Sequence, residues 1–523
     1  MQRPAKRRAA IRQSMHITTP KTVTELLRAG ADSAPAIGAP GRTPMTYAEL
    51  RDHVDNTVRC LNALGVGRND PVAIVLPNGA EMAAAFVALA SACTTAPLNP
   101  AYREDEYEFY LTDLGTKLLV VPEGTESPAR SVAKRLGIGV VELRLDKRSP
   151  AGLFELHGES IAAAPNLGGN AGPDDIALVL HTSGTTSRPK QVPLSQLNIC
   201  ASAKHIVVAI GLTATDRCLN IMPLFHIHGL VAAELCSLAA GASVICTPGF
   251  NALQFFNWLK ETKPTWYTGV PTVHQAIVAR AARNKSIVEA ARLRLIRSSS
   301  SSLPPQVMQA LEQTFNAPVI EAYGMTEAAH QITSNPLPPG KRKPGHVGVA
   351  AGPELAIMNN AGELLPNGAV GEVVIRGPNV TLGYRNNPQA NADAFVNGWF
   401  RTGDQGVIDG DGYLRLTGRL KEIINRGGEK ISPREIDEVL LDHPAIEQAV
   451  AFAVPHEKLG EDVAVAIVLR DNHELSEREV RAFAAEHLAD FKVPSKVVFL
   501  DEIPKGATGK LQRIGLAEKL GLA

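Results

Sequence analysis

The chain has 523 residues, with 53 Lys and Arg against 53 Asp and Glu, and 45% of its residues are apolar. That length exceeds what one core can hold and predicts at least two domains. Zero net charge with 5% aromatics argues against a dedicated nucleic-acid binder. Six scattered cysteines without a Cys-x-x-Cys pair argue against a zinc site or a disulfide framework, and they fit a reducing cytoplasm.

Residues 1–19 read as a disordered tail. Arg3, Lys6, Arg7, Arg8 and Arg12 make it basic, and it lacks the apolar stretch of a secretory signal. A later start at Met15 and a mitochondrial presequence are the alternatives. From Thr22 amphipathic helices alternate with short apolar strands, predicted at Val72–Leu76, Lys117–Val121, Ile176–Leu180, Cys218–Met222, Ala242–Cys246, Thr265–Thr268, Leu293–Ile296 and Val319–Ala322. This alternation predicts an α/β fold of parallel sheets covered by helices, with ligands at the carboxyl ends of the strands. The uncharged run Met82–Tyr102 is too weakly apolar to span a bilayer and reads as a buried helix and turn.

Beyond Glu354 the chain becomes turn-rich, with β runs such as Val373–Ile375, which predicts a small antiparallel or barrel-like subdomain. The polar break Thr417–Glu422 is the boundary between a large N-terminal domain, 20–420, and a small mobile α+β domain, 421–523. The small domain opens on a helix in which Ser432 is the N-cap, Pro433 takes the first position and Glu435 completes a capping box. Strands at Ala449–Val454 and Val463–Leu469, a helix at Glu477–Leu488 and a strand at Lys496–Phe499 follow.

The polar segments lie at strand ends. Strand Ile176–Leu180 empties into Thr182, Ser183, Gly184, Thr185, Thr186 and Lys190, whose hydroxyls, backbone N–H groups and cation suit a phosphate cradle. The spacing is not that of the usual P-loop. Further along come Glu321-Ala322-Tyr323-Gly324-Met325-Thr326-Glu327, then Thr402-Gly403-Asp404, Gly418-Arg419 with Lys421, and Gly509-Lys510. Singly these have plain readings. Glu327 is a carboxylate at a helix start, Asp404 a turn former and Lys510 a surface lysine.

In this order, over nearly the whole chain, the five segments resemble the adenylate-forming superfamily of acyl-CoA synthetases, luciferases and nonribosomal adenylation domains. The resemblance implies an acid–CoA ligase using ATP, Mg²⁺ and CoA, with an acyl-adenylate intermediate. It makes Lys510 the catalytic lysine bridging the acid carboxylate and the α-phosphate. Glu327 becomes the Mg²⁺ carboxylate and Thr326 a donor to the α-phosphate. Tyr323 stacks on adenine beside Glu321, Ala322 and Ser300, and Asp404 with Arg419 accepts the ribose hydroxyls. Lys421 is the hinge between two domain poses, and Gly427 and Gly428 let backbone approach the pantetheine arm.

More narrowly, Glu321–Pro339 and Asn425–Pro433 resemble the oxalyl-CoA synthetases of plants and fungi. His226 then borders the reacting carboxylate, and Ser298, Ser299, Gly324 and His330 line a small polar pocket suited to oxalate. Malonate, short, medium or long-chain acids, and an adenylation enzyme loading a carrier protein are the competing readings. A nucleotide-binding protein with degenerate catalysis is a further one. A cytoplasmic monomer or homodimer is expected, since the C-terminal Gly521-Leu522-Ala523 is not a peroxisomal address. There is one departure. Gln191 stands where the family's phosphate loop has glycine, and at a positive φ it would strain the loop by roughly 1–2 kcal/mol.

Overall fold

The computed structural model describes residues 20–146, 148–182, 189–505 and 511–523. Two largely parallel sheets form the bulk of the molecule. The larger runs, in spatial order, Val349–Ala350, Thr333–Ser334, Val319–Tyr323, Leu295–Ser298, Trp266–Gly269, Arg217–Asn220, Ser243–Cys246, Pro35–Gly38 and Met45–Thr46. Its six central strands are parallel, and the outer strands turn antiparallel. The second runs Glu155–Gly158, Gly139–Arg144, Leu118–Pro122, Pro71–Ile74, Thr94–Pro97, Ile176–Thr182 and Lys190–Ser195. The central strands are short and buried along their length, as both-faces-covered parallel sheet requires.

One helix joins the two sheets. Ala80–Ala90 touches Pro35–Gly38 and Ser243–Cys246 of the larger sheet and Thr94–Pro97 of the smaller. Every residue of it except Glu81 is buried. Alanine methyls at 83, 84, 85 and 88 let it approach on all sides, and a single hydrophobic core runs continuously through both sheets. The expected buried helix is therefore present within Met82–Tyr102, but a strand follows it rather than only a turn. Thr94 and Thr95 conceal that strand by placing their hydroxyls on the carbonyls of Ile176 and Ala177, 2.8 and 2.7 Å away.

The region after Glu354 is an antiparallel sheet of Leu364–Leu365, Glu354–Met358, Val370–Arg376, Trp399–Ile408 and Phe395–Val396, with Leu414–Arg419 paired to Trp399–Ile408. The C-terminal sheet begins at Ile424. Its long hairpin Ile446–His456 and Gly460–Leu469 carries Ile424–Arg426, Glu429–Ile431 and the parallel strand Lys496–Phe499. It has separate cores on its two faces.

Helix Pro433–Leu441 starts where expected, with Pro433 in its first turn, yet the capping box does not form. Ser432 Oγ donates instead to the carbonyl of Thr417, and Glu435 accepts from Lys492 Nζ at 2.6 Å. The serine ties the small sheet to the segment leading into it, which outweighs satisfying its own helix. All six cysteines are free thiols, five of them buried. Among the described residues no helix is long and apolar enough to cross a membrane.

Candidate active site

The carboxyl ends of Val319–Tyr323, Leu295–Ser298 and Trp266–Gly269 open towards the antiparallel sheet and the C-terminal region. A cleft of about 720 Å³ lies there, lined from one side by Ser300, Ala322, Tyr323, Gly324, Asp404 and Arg419. Its centre is the loop after Tyr323. At Gly324 a Cβ would fall 1.4 Å from the carbonyl oxygen of His330, so the loop folds back on itself through a position only glycine can occupy. Ala329 and His330 take φ of 46° and 92°, left-handed values that non-glycine residues hold only when the surroundings impose them. Here the imposing contacts are His330 N–H to Met325 O at 3.0 Å and Ser202 Oγ to Ala329 O at 2.5 Å.

This loop hands its side chains to different parts of the fold. Tyr323 donates to Asp404 Oδ2 at 2.5 Å, and Arg419 Nε donates to Asp404 Oδ1 at 3.0 Å. The carboxylate is thereby fixed in the cleft with, among the described residues, one side-chain donor on each oxygen. Glu327 lies in a short 3₁₀ turn, Thr326–Ala328, and is buried. Its Oε1 accepts from Tyr384 OH at 2.9 Å, and its backbone carbonyl accepts from Thr381 N–H at 2.7 Å. Burial raises its pKa, opposed by the Tyr384 hydrogen bond and the Arg419 charge. A site that pulls a carboxylate away from water favours a bound cation beside it. Among the described residues no cluster of three metal-binding side chains surrounds it. One carboxylate completed by substrate phosphates and waters is the donor set Mg²⁺ ordinarily takes, so the residues fit that ion.

Glu321 departs from the expected adenine side. It is 1% exposed, and its Oε1 accepts from Leu303 N–H at 3.0 Å, behind the serine loop rather than in the cleft. Burial pushes its pKa up to about 7, although Arg434 of the C-terminal region opposes the shift. Its partner Ala322 uses its carbonyl to accept from Ser299 Oγ at 2.9 Å.

The phosphate loop itself, Ser183, Gly184, Thr185 and Thr186, lies outside the described residues. Its stem does not. Thr182 pairs with Lys190, and His181 with Gln191, across an antiparallel hairpin. Gln191 is therefore extended strand, not a positive-φ position, and the expected strain is absent. Its amide nitrogen donates to the carbonyl and to Oδ2 of Asp113, at 2.6 and 2.8 Å, and His181 Nε2 meets the same Oδ2 at 2.9 Å. On the other side Arg385 N–H donates to Gln191 O at 3.1 Å, and Lys190 Nζ sits 4.6 Å above the Tyr384 ring. The stem is thus held next to the residue that holds Glu327.

On the acid side the emphasis shifts by two residues. His226 packs against Phe225, with ring centroids 4.7 Å apart. His228 makes two polar contacts, Nδ1 to Ser300 Oγ at 3.0 Å and Nε2 to Thr268 Oγ1 at 2.7 Å. Its ring is 5.1 Å from that of His330. Ser298 and Ser299 are fully buried, whereas Ser300, at φ 74°, reaches the cleft. Tyr384, Asp113 and Thr268 were not legible as site residues, because each acts through a partner distant in sequence.

The C-terminal region closes the cleft from the other side with Leu511, Gln512 and Arg513, and with Arg434, Asp437 and Glu438 of the helix Pro433–Leu441. Arg513 pairs with Asp437 at 2.5 Å and with Glu422 at 3.2 Å. Lys510 lies outside the described residues, immediately before these. The nearby alternative, Lys505, is engaged with Glu502 at 2.7 Å. Lys421 is exposed in the turn between the antiparallel and C-terminal sheets. Gly427 and Gly428, at φ 60° and 99°, form the exposed tip of a hairpin that does not line the cleft in this arrangement.

Comparison with known proteins places this geometry. The AMP-binding enzyme family matches residues 28–385, and the AMP-binding enzyme C-terminal domain matches residues 435–510. The chain is 47% identical to an oxalate–CoA ligase of Arabidopsis thaliana, over 91% of this chain and 94% of that one. It is 45% identical to an oxalate–CoA ligase of Saccharomyces cerevisiae, over 87% of each. The ATP-bound crystal structure of MatB from Rhodopseudomonas palustris superposes with a TM-score of 0.85 at 29% identity, covering 95% of this chain and 98% of that one.

Two outcomes are expected from these contacts. Between the ordinary carboxyl pKa and about 7 the folded protein keeps the Glu321 proton that the unfolded chain has released. Stability therefore falls as pH rises through that window, by about 3 kcal/mol in all. Glu321→Gln should flatten the decline in melting temperature between pH 5 and 8; parallel wild-type and variant curves would refute this origin. Gln191→Gly should lower stability by about 1–2 kcal/mol in urea titrations, because it strips Asp113 of two hydrogen bonds. It should not speed ATP–pyrophosphate exchange, and an acceleration would restore the strain account.

Proposed function

Since this chain belongs to the AMP-binding enzyme family, we propose that it is an ATP-dependent acid–CoA ligase whose acid is oxalate. The observation that carries the choice of acid is the buried polar layer beyond Gly324, where Ser300, His228 and Thr268 are hydrogen-bonded in series with His330 alongside. A polar layer of this kind is a poor wall for a long alkyl chain, whereas a small dianion supplies acceptors for its hydroxyl and imidazole donors. The likeness to two oxalate–CoA ligases over most of the chain supports the same acid.

In this reading ATP lies along the cleft with its ribose diol on the oxygens of Asp404, already oriented by Tyr323 and Arg419. Lys190 and the loop it closes lie beside the phosphates, and Thr326 faces the α-phosphate. Glu327 would hold Mg²⁺, which offsets phosphate charge when bound. An oxygen of the acid attacks the α-phosphorus and pyrophosphate departs, giving the acyl-adenylate. Lys510 arrives with the C-terminal region and balances the charge that builds on the α-phosphate and the attacking carboxylate. CoA sulfur then attacks the acyl carbon, and AMP leaves with the carboxyl oxygen.

The second step needs a different pose. Gly427 and Gly428 lie away from the cleft while Leu511–Arg513 line it, an arrangement suited to adenylation. Rotation about the segment at Lys421, between residues 20–420 and 421–523, would exchange the two. The proposal includes a cytoplasmic setting and a monomer or homodimer.

Lys510→Ala should lower oxalate-dependent pyrophosphate release by about 10²–10³-fold or more while ATP still binds; unchanged release would remove Lys510 from the mechanism. The acid is tested by a pyrophosphate-release panel with CoA. Oxalate should exceed malonate and short-chain acids in kcat/KM, with long-chain acids lowest. Preference for a long-chain acid would overturn the polar-pocket reading.

A further inference from the structure

Strand Leu295–Ser298 carries an arginine in the interior of the sheet. Arg297 is 0% exposed and, among the described residues, forms no salt bridge. One nitrogen, Nη2, donates to Gln331 Oε1 at 3.0 Å. Among the described residues its Nε and Nη1 have no hydrogen-bond partner, and neither has Nε2 of Gln331. The nearest ionisable groups acting on it are Cys236 and Cys218, whose thiols burial keeps protonated. Burial draws the guanidinium pKa down to about 10, which leaves it cationic near neutral pH. A buried, unbalanced cation with idle donors is costly to keep.

Its position explains the cost. Arg297 is in register with Thr268 on the neighbouring strand, and paired residues of parallel strands point to the same face. Thr268 holds His228, the His228 ring lies beside that of His330, and Gln331 follows His330 in the chain. Arg297 is thereby linked, through Gln331 and the register with Thr268, to the polar side chains His228 and His330, and His228 in turn holds Ser300 of the cleft lining.

We propose that Arg297, with the amide of Gln331, is the counter-charge for the second carboxylate of a short diacid, and so determines acid specificity. The proposal rests on reading the site as an acid–CoA ligase for such a diacid. A dianion fills the open donors of Arg297 and Gln331. A monocarboxylic acid of similar size leaves them unpaired, and leaving buried polar groups of a site unpaired is the strongest form of discrimination a pocket has. Glu234, in the helical stretch Leu230–Leu235 after His228, is also fully buried, and among the described residues its carboxyl oxygens meet no hydrogen-bond donor; burial raises its pKa well above the ordinary carboxyl value. It does not balance Arg297.

The test uses the full chain with ATP and CoA, comparing oxalate, malonate and acetate for wild type, Arg297→Met and Arg297→Lys. Arg297→Met should lower kcat/KM for oxalate on the order of 100-fold and change acetate by less than about threefold, with Arg297→Lys in between. The thermal shift produced by ATP alone should be retained. The unliganded Met variant should melt no lower than wild type, since an apolar side chain of similar volume replaces an unpaired buried charge. Equal loss with oxalate and acetate, or a lower melting point with equal loss, makes Arg297 structural and overturns the proposal. If the Met variant does not fold, Gln331→Met decides on the same criterion, a selective loss for the diacid. Wild type favouring malonate would overturn oxalate as the acid and leave Arg297 supported by a diacid-selective loss. Wild type favouring acetate over both diacids would overturn the diacid reading and the role of Arg297 together.

Discussion

The carbonyl of His330 occupies the space where any side chain at position 324 would have to go. That close approach turns eight residues after a buried strand into a knot rather than an open loop. Several polar features of the site are set by it. Tyr323, before the turn, reaches the antiparallel sheet at Asp404. Glu327, inside it, reaches Tyr384. His330 and Gln331, as the chain leaves, reach His228 and Arg297. The left-handed backbone at Ala329 and His330 is a strain that such a knot can hold, because packed structure on all sides leaves no alternative.

The three acids around the knot show how environment sorts identical chemistry. Asp404 is buried but matched by an arginine and a phenol, one on each oxygen. Glu327 has a phenol and a more distant arginine, and burial prevails. Glu321 has one backbone N–H and an arginine from the C-terminal region, and burial prevails further, to about 7. In both glutamates burial outweighs the donors that oppose it. Asp404 lies where a neutral diol would be recognised. Glu327 lies where a cation would be.

Much of the architecture was legible because buried parallel strands are written in apolar residues. Val319–Tyr323 and Trp266–Gly269 are found within a residue or two of the expected bounds. Thr94–Pro97 was hidden because its threonines satisfy themselves on a neighbouring strand, a tertiary fact. The cleft's glycines, Asp404 and Arg419 were visible as motifs. Tyr384 was not, since it meets Glu327 from 57 residues away and no local pattern marks it. Gln191 was misjudged for a related reason: a rule about loop glycine was applied to what is the second residue of a strand. Ser432 likewise had two partners available, and the long-range one prevailed.

The alanine helix Ala80–Ala90 has a mechanical meaning. Methyl groups are the shortest spacers a side chain offers, and they set the two large sheets at a separation with no slack. Neither sheet can slide or breathe against the other without opening voids along the whole contact. In engineering terms the bulk of the chain is a stiff frame, whereas the C-terminal sheet hangs from it by a single strand of backbone between Arg419 and Ile424. A frame of that kind keeps its dimensions while the attached piece swings. On the proposed function, the length of acid would then be gauged by residues rooted in the sheet, like marks on a ruler, and would not vary with the swing.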